Sequence, residues 1–300
     1  DSAGTDTLTA TVASSITPAT LAGIEVLGLT LNGALVNATN ITDVTTVNLS
    51  DSVADGSAVI TNLPSSVTTL NVTTDLGVTS VGFKAGHTGD LRLDLDSLTQ
   101  DSAPASFTLV NNGGALTIDG DGTSDKDIDL TTFNAGSATS ITVESELGIV
   151  DLGNTTAASA KTITLNDAAG TAGNIEMGTL SAASMTDFVL KTQGTGATNI
   201  GDITGSNAAN LFKLESTSTS TVTIGTITAH AGTTKQAGLA FDIDWTGVNA
   251  GANAIGVISD DDKADFVMSL GAKGVINRKE FNCWGQLPKV NTPEYNAWLK

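Results

Sequence analysis

The chain has 300 residues, a net charge of −19, only 4% aromatic residues and five prolines. So acidic a chain would approach nucleic acid or anionic lipid against its own field, which leaves divalent cations as its natural partners. One cysteine, Cys283, excludes a disulfide framework within the chain, and no apolar run reaches the roughly 18 residues of a membrane span.

The opening, DSAGTDTLTA, carries no basic and apolar leader and reads as the interior of a longer polypeptide, with a secretion signal expected beyond one of its ends. From there one alternating pattern recurs nine times. It runs through GIEVLGL at Ile24 and Val26, TTVNLS at Val47 and Leu49, TTLNVT at Leu70 and Val72, and LRLDLD at Leu93 and Leu95. It continues through ALTIDG at Leu116 and Ile118, SITVES at Ile141 and Val143, and TITLND at Ile163 and Leu165. DFVLKT at Phe188 and Leu190 and LFKLES at Phe212 and Leu214 complete the series. The second apolar residues follow one another at 23, 23, 23, 23, 25, 22, 25 and 24 residues.

Alternation with period two puts both apolar side chains of a copy on one face of a strand. One such strand cannot bury that face alone, whereas stacking copies about 4.8 Å apart creates a continuous apolar column. Some 23 residues per repeat leave room for further short strands, for which Ile128 with Leu130 and Val222 with Ile224 are candidates. The pattern therefore predicts an all-β chain, a parallel β-solenoid over residues 1–250. Tandem immunoglobulin-like β-sandwiches are the alternative, because short Thr-rich strands read that way too.

The segments TLTATVASSITPATLAGIEVLGLTL, ITDVTTVNLSDS and LPSSVTTLNVTTD resemble the β-solenoid regions of bacterial surface-layer (S-layer) proteins exported by type I secretion, and neighbouring repeat adhesins share the style. That resemblance implies a structural protein outside the cell, on the bacterial surface. It would self-associate into a lattice or homo-oligomer, with calcium at coil edges and cell-surface polysaccharide as a further candidate partner. The absence of cysteine from residues 1–250 suits the same setting, in which repetition and Ca2+ replace disulfides.

Calcium needs six to eight oxygen ligands, and Gly-rich turns with alternating Asp supply carboxylates and bare carbonyls together. NNGGALTIDGDGTSDKDIDL, residues 111–130, meets that description and makes Asp119, Asp121, Asp125 and Asp127 the candidate metal ligands. A solvated acidic turn is the competing reading, and Asp51 with Asp55 forms a weaker cluster. His87 and His230 lack metal-ligand spacing and read as ordinary satisfied or exposed side chains. Asp94 and Asp96 could mimic a glycosidase acid pair, but the Arg, Lys and aromatic platforms of a sugar groove are missing. The sequons at Asn37, Asn71 and Asn154 follow from the abundance of Asn and Thr. Residues 1–250 are thus expected to have no catalytic site, no nucleic-acid partner and no membrane insertion.

The last fifty residues change style. Repetition stops, six acids balance six bases, and two tryptophans arrive with the only tyrosine and cysteine. AIGVISDDDKADFVMSLGAKGVINRK predicts strand, helix, strand, with Ser259 and Asp260 at the N-cap, apolar Phe266, Val267 and Leu270 on one face, and Gly271 as the stop. Residues 251–300, through EFNCWGQLPKVNTPEYNAWLK, resemble an internal stretch of the crotonyl-CoA carboxylase/reductase family, NADPH-dependent relatives of the medium-chain dehydrogenases. There the resemblance implies part of a nucleotide-binding domain. The preceding TAHAGTTKQAGLAFDIDWTGVNA has no GxGxxG to cradle a pyrophosphate, so neither NADPH binding nor turnover is expected. Residues 1–250 and 251–300 accordingly read as two unrelated segments joined between Trp245 and Asn253, with a natural α/β cap on the solenoid as the rival account.

Overall fold

The computed structural model describes residues 4–51, 57–73, 77–95, 105–120, 128–145, 148–167, 174–205, 211–218, 220–229, 240–245, 255–258, 260–269, 272, 274–277 and 279. The chain divides into two compact units, Asp1–Val248 and Asn249–Lys300.

In the first unit eleven strands lie side by side in one sheet. They are Thr7–Val12, Val26–Leu31, Thr46–Asp51, Thr69–Val72, Leu91–Asp94, Ala115–Asp119, Ser140–Ser145, Thr162–Asp167, Asp187–Thr192, Leu211–Ser216 and Ala240–Trp245. Every neighbouring pair is parallel. Parallel neighbours cannot be joined by a tight hairpin, so between rungs the chain travels once around a coil. The result is a parallel β-solenoid. No antiparallel pair, as sandwiches would require, occurs among the described strands.

Register turns the sequence repeat into a column. Leu27, Val47, Leu70, Leu93, Ile118, Val143, Leu165, Leu190 and Leu214 stack directly on one another. All are buried, and each contributes about 2 kcal/mol by leaving water. In a second column Phe188 stacks on Phe212, ring centroids 5.1 Å apart and ring planes nearly parallel. Between the apolar positions, Asn48 and Asn71 are also paired rung to rung, and Asn71 Nδ2 donates to Asn48 Oδ1 at 2.7 Å.

Two phases differ from the sequence expectation. In the first copy, Val26 opposes Thr46, and the inward residues are Leu27, Leu29 and Leu31 instead of Ile24 and Val26. GIEVLGLTL contains both alternations, and the one with three leucines buries more apolar surface. In the fourth copy Ile118 stacks on Leu93, two residues before Leu95. Leu91, Leu93 and Leu95 are all buried, so this strand offers an apolar partner in either register.

The second sheet is where the coil changes form. Leu35–Asn37, Ala58–Leu63, Val78–Phe83, Ala105–Val110 and Ile128–Asn134 follow one another as single strands. Ile128–Asn134 then pairs with two short strands at once, Ile149–Asp151 and Asn154–Thr156. The two branches continue separately, one through Asn174–Met177, Thr198–Ile200 and Val222–Ile224, the other through Leu180–Ser181, Ile203–Gly205 and Ile227–Ala229. The out-of-phase strands expected at Ile128 and at Val222 are therefore present. Gly153 makes the split possible. Its φ is +55°, and a Cβ there would lie 2.0 Å from the Leu130 carbonyl oxygen. Gly178 and Gly201 repeat the close approach one and two coils further on, with Gly178 N donating to Gly153 O at 2.8 Å.

A third corner recurs as a four-residue turn closed by a backbone bond. Ile41 N donates to Ala38 O, Val67 N to Pro64 O, Ala138 N to Ala135 O, Ala160 N to Ala157 O and Met185 N to Ala182 O. Four of these turns open on a fully buried alanine, Ala38, Ala135, Ala157 or Ala182, and the others on Pro64 or Lys84. His87 closes the equivalent turn on Lys84 O and occupies the position held elsewhere by Ile41, Val67 or Met185.

In the second unit, Ile255–Ile258 and Gly274–Asn277 form a two-stranded parallel sheet, joined through a 3-10 turn, Asp261–Lys263, and a short helix, Ala264–Ser269. The expected order of strand, helix and strand is present. The expected cap differs: Asp260 is extended at the N-cap position, but its carboxylate pairs with Lys279 Nζ at 2.6 Å instead of a helix amide. Phe266 is exposed, so the apolar helix face read from the sequence is not buried as a whole. Ser259, Leu270, Gly271 and Cys283 lie outside the described residues. No helix among the described residues is long and apolar enough to cross a membrane.

Gly153→Ala should destabilise the first unit by about 3 kcal/mol, from left-handed backbone strain plus the clash with the preceding coil. Gly86→Ala has the same backbone sign, φ +82°, but open space around the Cβ, and should cost only about 1 kcal/mol. Thermal unfolding followed by circular dichroism measures both. Equal losses would show that steric approach at Gly153 is not what the split requires.

Candidate functional site

The acidic residues of the first unit are ordered by the coil register. On the outer face of the first sheet, Asp94, Asp119 and Glu144 occupy consecutive rungs. On the outer face of the second sheet, Asp129, Asp151 and Glu176 do the same. Both series run through neighbouring coils, and Asp121, Asp125 and Asp127 fall between Asp119 and Asp129 in the sequence. Like charges one rung apart repel by about 1 kcal/mol even at the dielectric of water.

Asp119 is the one expected metal ligand within the described residues. Asp121, Asp125 and Asp127 lie outside them. Its side chain is only 1% exposed and forms an ion pair with Arg92, which reaches over from the preceding coil. Arg92 also lies 3.9 Å from Asp94, so a single guanidinium bridges two acidic rungs. Sequence reasoning missed Arg92 because it stands 27 positions before Asp119 and meets it only through the strand register. Among the described residues, no three His, Cys, Asp or Glu side chains converge closely enough to hold a metal ion.

Asp151 accepts a hydrogen bond from Gly153 N at 2.7 Å. Burial pushes its carboxyl above the usual range, the Gly153 bond opposes this, and the charge of Glu176 adds to the rise. Asp167 lies at the inner end of its strand with no exposed surface, and its in-register neighbours are Ser145 and Thr192. Gly194 N donates to its Oδ2 at 3.1 Å. Burial nevertheless pushes its carboxyl up to about 6, against the pull of the Gly194 and Gln193 amides. Further along the same column, the Thr192 and Ser216 hydroxyls are hydrogen-bonded at 2.7 Å, so a polar strip runs inside the solenoid.

His87 is a core residue. Its ring stacks on Phe83 with centroids 4.4 Å apart, and burial holds its pKa below the ordinary value. His230, Asp55 and Asp96 lie outside the described residues, as does the side chain of Asp51. Asn154 is occupied structurally, accepting bonds from both the amide and the hydroxyl of Thr179 at 3.0 Å. Asn37 accepts from Thr39 N and from Asn62 Nδ2.

The fold and these ladders define the first unit as a repeat protein of the parallel β-solenoid class. No family model matches the chain, and no solved structure matches it. A segment of 51 residues, 17% of the chain, is 84% identical to crotonyl-CoA carboxylase/reductase of Cereibacter sphaeroides. It spans 12% of that protein's length.

Arg92→Ala should cost about 2–3 kcal/mol by leaving the buried Asp119 carboxylate without its guanidinium. In an Asp119→Asn background the same change should cost under about 1 kcal/mol. Urea unfolding of the four proteins in this cycle checks the coupling. For Asp167 the native carboxyl binds its proton more tightly than the unfolded one, so its contribution is most favourable below about pH 4 and is lost as pH rises through about 6. Asp167→Asn should therefore stabilise the protein by about 2 kcal/mol at pH 7.5 and leave it unchanged near pH 4. Thermal midpoints across that range give the comparison.

Proposed function

We propose that this protein is a structural component of a bacterial cell surface, a β-solenoid that assembles with copies of itself through calcium held at its acidic corner. The observation that carries this reading is the pair of acidic ladders, Asp94 with Asp119 and Glu144 and Asp129 with Asp151 and Glu176, on the two sheets of one solenoid. A rigid stack with like charges in successive rungs gains from divalent cations more than a chain with dispersed charge would. Asp119, Asp121, Asp125 and Asp127 are the ligands assigned to it. The resemblance of the repeats to surface-layer proteins supports the lattice, and a repeat adhesin is the neighbouring possibility on the same fold. No catalytic role is assigned to the chain.

The match to crotonyl-CoA carboxylase/reductase supports a second reading, in which the chain's activity is NADPH-dependent reduction of an enoyl-CoA. Against it stands the described part of the second unit, two paired strands and one short helix. We read that unit as a fragment without function of its own.

Millimolar calcium added to the chelated full chain should raise its thermal midpoint and increase light scattering as oligomers form. NADPH absorbance should stay constant with crotonyl-CoA present. An unchanged midpoint and unchanged scattering would overturn the calcium-driven assembly, and cofactor turnover would establish the second reading.

A further inference from the structure

The four-residue corner turns close on buried apolar residues at Ile41, Val67, Ala138, Ala160 and Met185. His87 closes the turn that opens on Lys84, and it is only 4% exposed. Neither of its ring nitrogens has a hydrogen-bond partner among the described residues. The following coil brings a second polar side chain to the same place. Asn111 Nδ2 donates to Phe83 O at 3.2 Å and Gly113 N donates to His87 O at 3.2 Å, so Asn112, between them, lies over the turn that carries His87. Asn112 has no exposed surface, and neither its carboxamide nitrogen nor its oxygen has a partner among the described residues. Two consecutive coils therefore bury four polar atoms without bonds, although atoms so placed are nearly always paired.

A neutral imidazole tolerates this corner, stacked on Phe83 with centroids 4.4 Å apart, whereas an imidazolium would be an enclosed cation without an anion. The charged groups on the elements around it are Lys84 and Asp90. Lys84 is itself a cation, and Asp90 Oδ1 already accepts from Ala115 N at 2.9 Å. Residues 64–67 of the preceding coil, the strand Val78–Phe83 and residues 111–114 of the following coil carry no charge. Burial accordingly holds the His87 pKa below its ordinary value, which the Gly89 backbone beside the ring offsets in part. A protonated ring gains most by reaching water. Its turn is closed by one backbone bond, His87 N to Lys84 O at 3.2 Å, and Gly86 before it has φ +82° with open space around it.

We propose that His87 and Asn112 form an acid-sensitive seam between two successive coils: on taking a proton from solvent the imidazole leaves the core, the turn at residues 84–87 opens, and its bonds to Asn111 and Gly113 are lost. The seam goes beyond the calcium-driven assembly proposed above and does not depend on it. Acidification would loosen the solenoid from within, at one corner.

The test uses the full chain, freed of metal with a chelator, between pH 7 and 5. In the His230→Gln variant His87 is the one remaining histidine, and NMR of its imidazole carbons and protons follows its titration. His87 should stay neutral to at least one pH unit below the ordinary histidine value. As it protonates, the Gly113 amide should lose at least tenfold of its protection from hydrogen exchange, after correction for the intrinsic rate. The folded chain binds this proton more weakly than the unfolded one, so the stability that His87 permits is present above the ordinary histidine pKa and is lost as pH falls through the depressed value. The wild-type thermal midpoint should therefore fall by about 4 °C relative to His87→Met over this range. Asp167, whose contribution runs the other way, is present in both proteins and cancels. A ring that titrates at the ordinary value, or one that protonates while the Gly113 amide stays protected, would overturn the proposal, as would a midpoint difference that is constant with pH. If His87→Met does not fold, the titration and the exchange measurement decide between the same outcomes.

Discussion

Everything in the first unit depends on in-register parallel stacking. In the first sheet the ladder holds a continuous register within each strand pair, because a shift of one residue would turn every inward leucine outward. Each turn of chain must therefore bring its strands back over those of the turn before, whatever its length. The coils meet this condition while varying in residue number, as Leu27 to Val47 and Leu93 to Ile118 show. At the corners a small or left-handed residue lets the backbone fold tightly: Ala38 and Ala135 at one, Gly153 and Gly178 at another.

The same constraint decides what happens to polar residues. A residue type that is harmless once becomes a ladder when register repeats it. Asn48 under Asn71 gives a favourable rung of amide bonds, whereas Asp151 under Glu176 gives charge on charge. Arg92 shows how one cation relieves such a column, by reaching from its own coil to Asp119. Inside the solenoid the ladder rule brings Ser145, Asp167, Thr192 and Ser216 into one line, and there the lone carboxyl lowers its cost by favouring the protonated form.

The solenoid was legible because its main column is written in residues of one kind at one spacing. Phase was legible wherever a strand carried a single alternation, as in Ser140–Ser145 or Asp187–Thr192. It was not legible in GIEVLGLTL, where burial of three leucines decided between two overlapping patterns. The division of the second sheet also left a signal that periodic apolar residues do not contain. Leu152-Gly153-Asn154, Met177-Gly178-Thr179, Ile200-Gly201-Asp202 and Ile224-Gly225-Thr226 repeat an apolar, glycine, polar triplet at about the coil spacing. Of the expected calcium ligands, the acidic character of Asp119 was plain, but its burial under Arg92 was not. That contact is set by which rung meets which, and no local pattern encodes it.

The direction of the hydrogen bonds has a mechanical consequence. In a β-solenoid the interstrand bonds run along the stacking direction, nearly perpendicular to the strands. Tension along that direction would load one rung at a time and peel the coils apart, with every interface failing at a similar force. Tension along the strands would load a whole rung in shear and meet far greater resistance. A molecule built this way is stiff within each coil and extensible between coils, and bonds that tie successive rungs together, such as Arg92 to Asp119, reinforce the weaker direction.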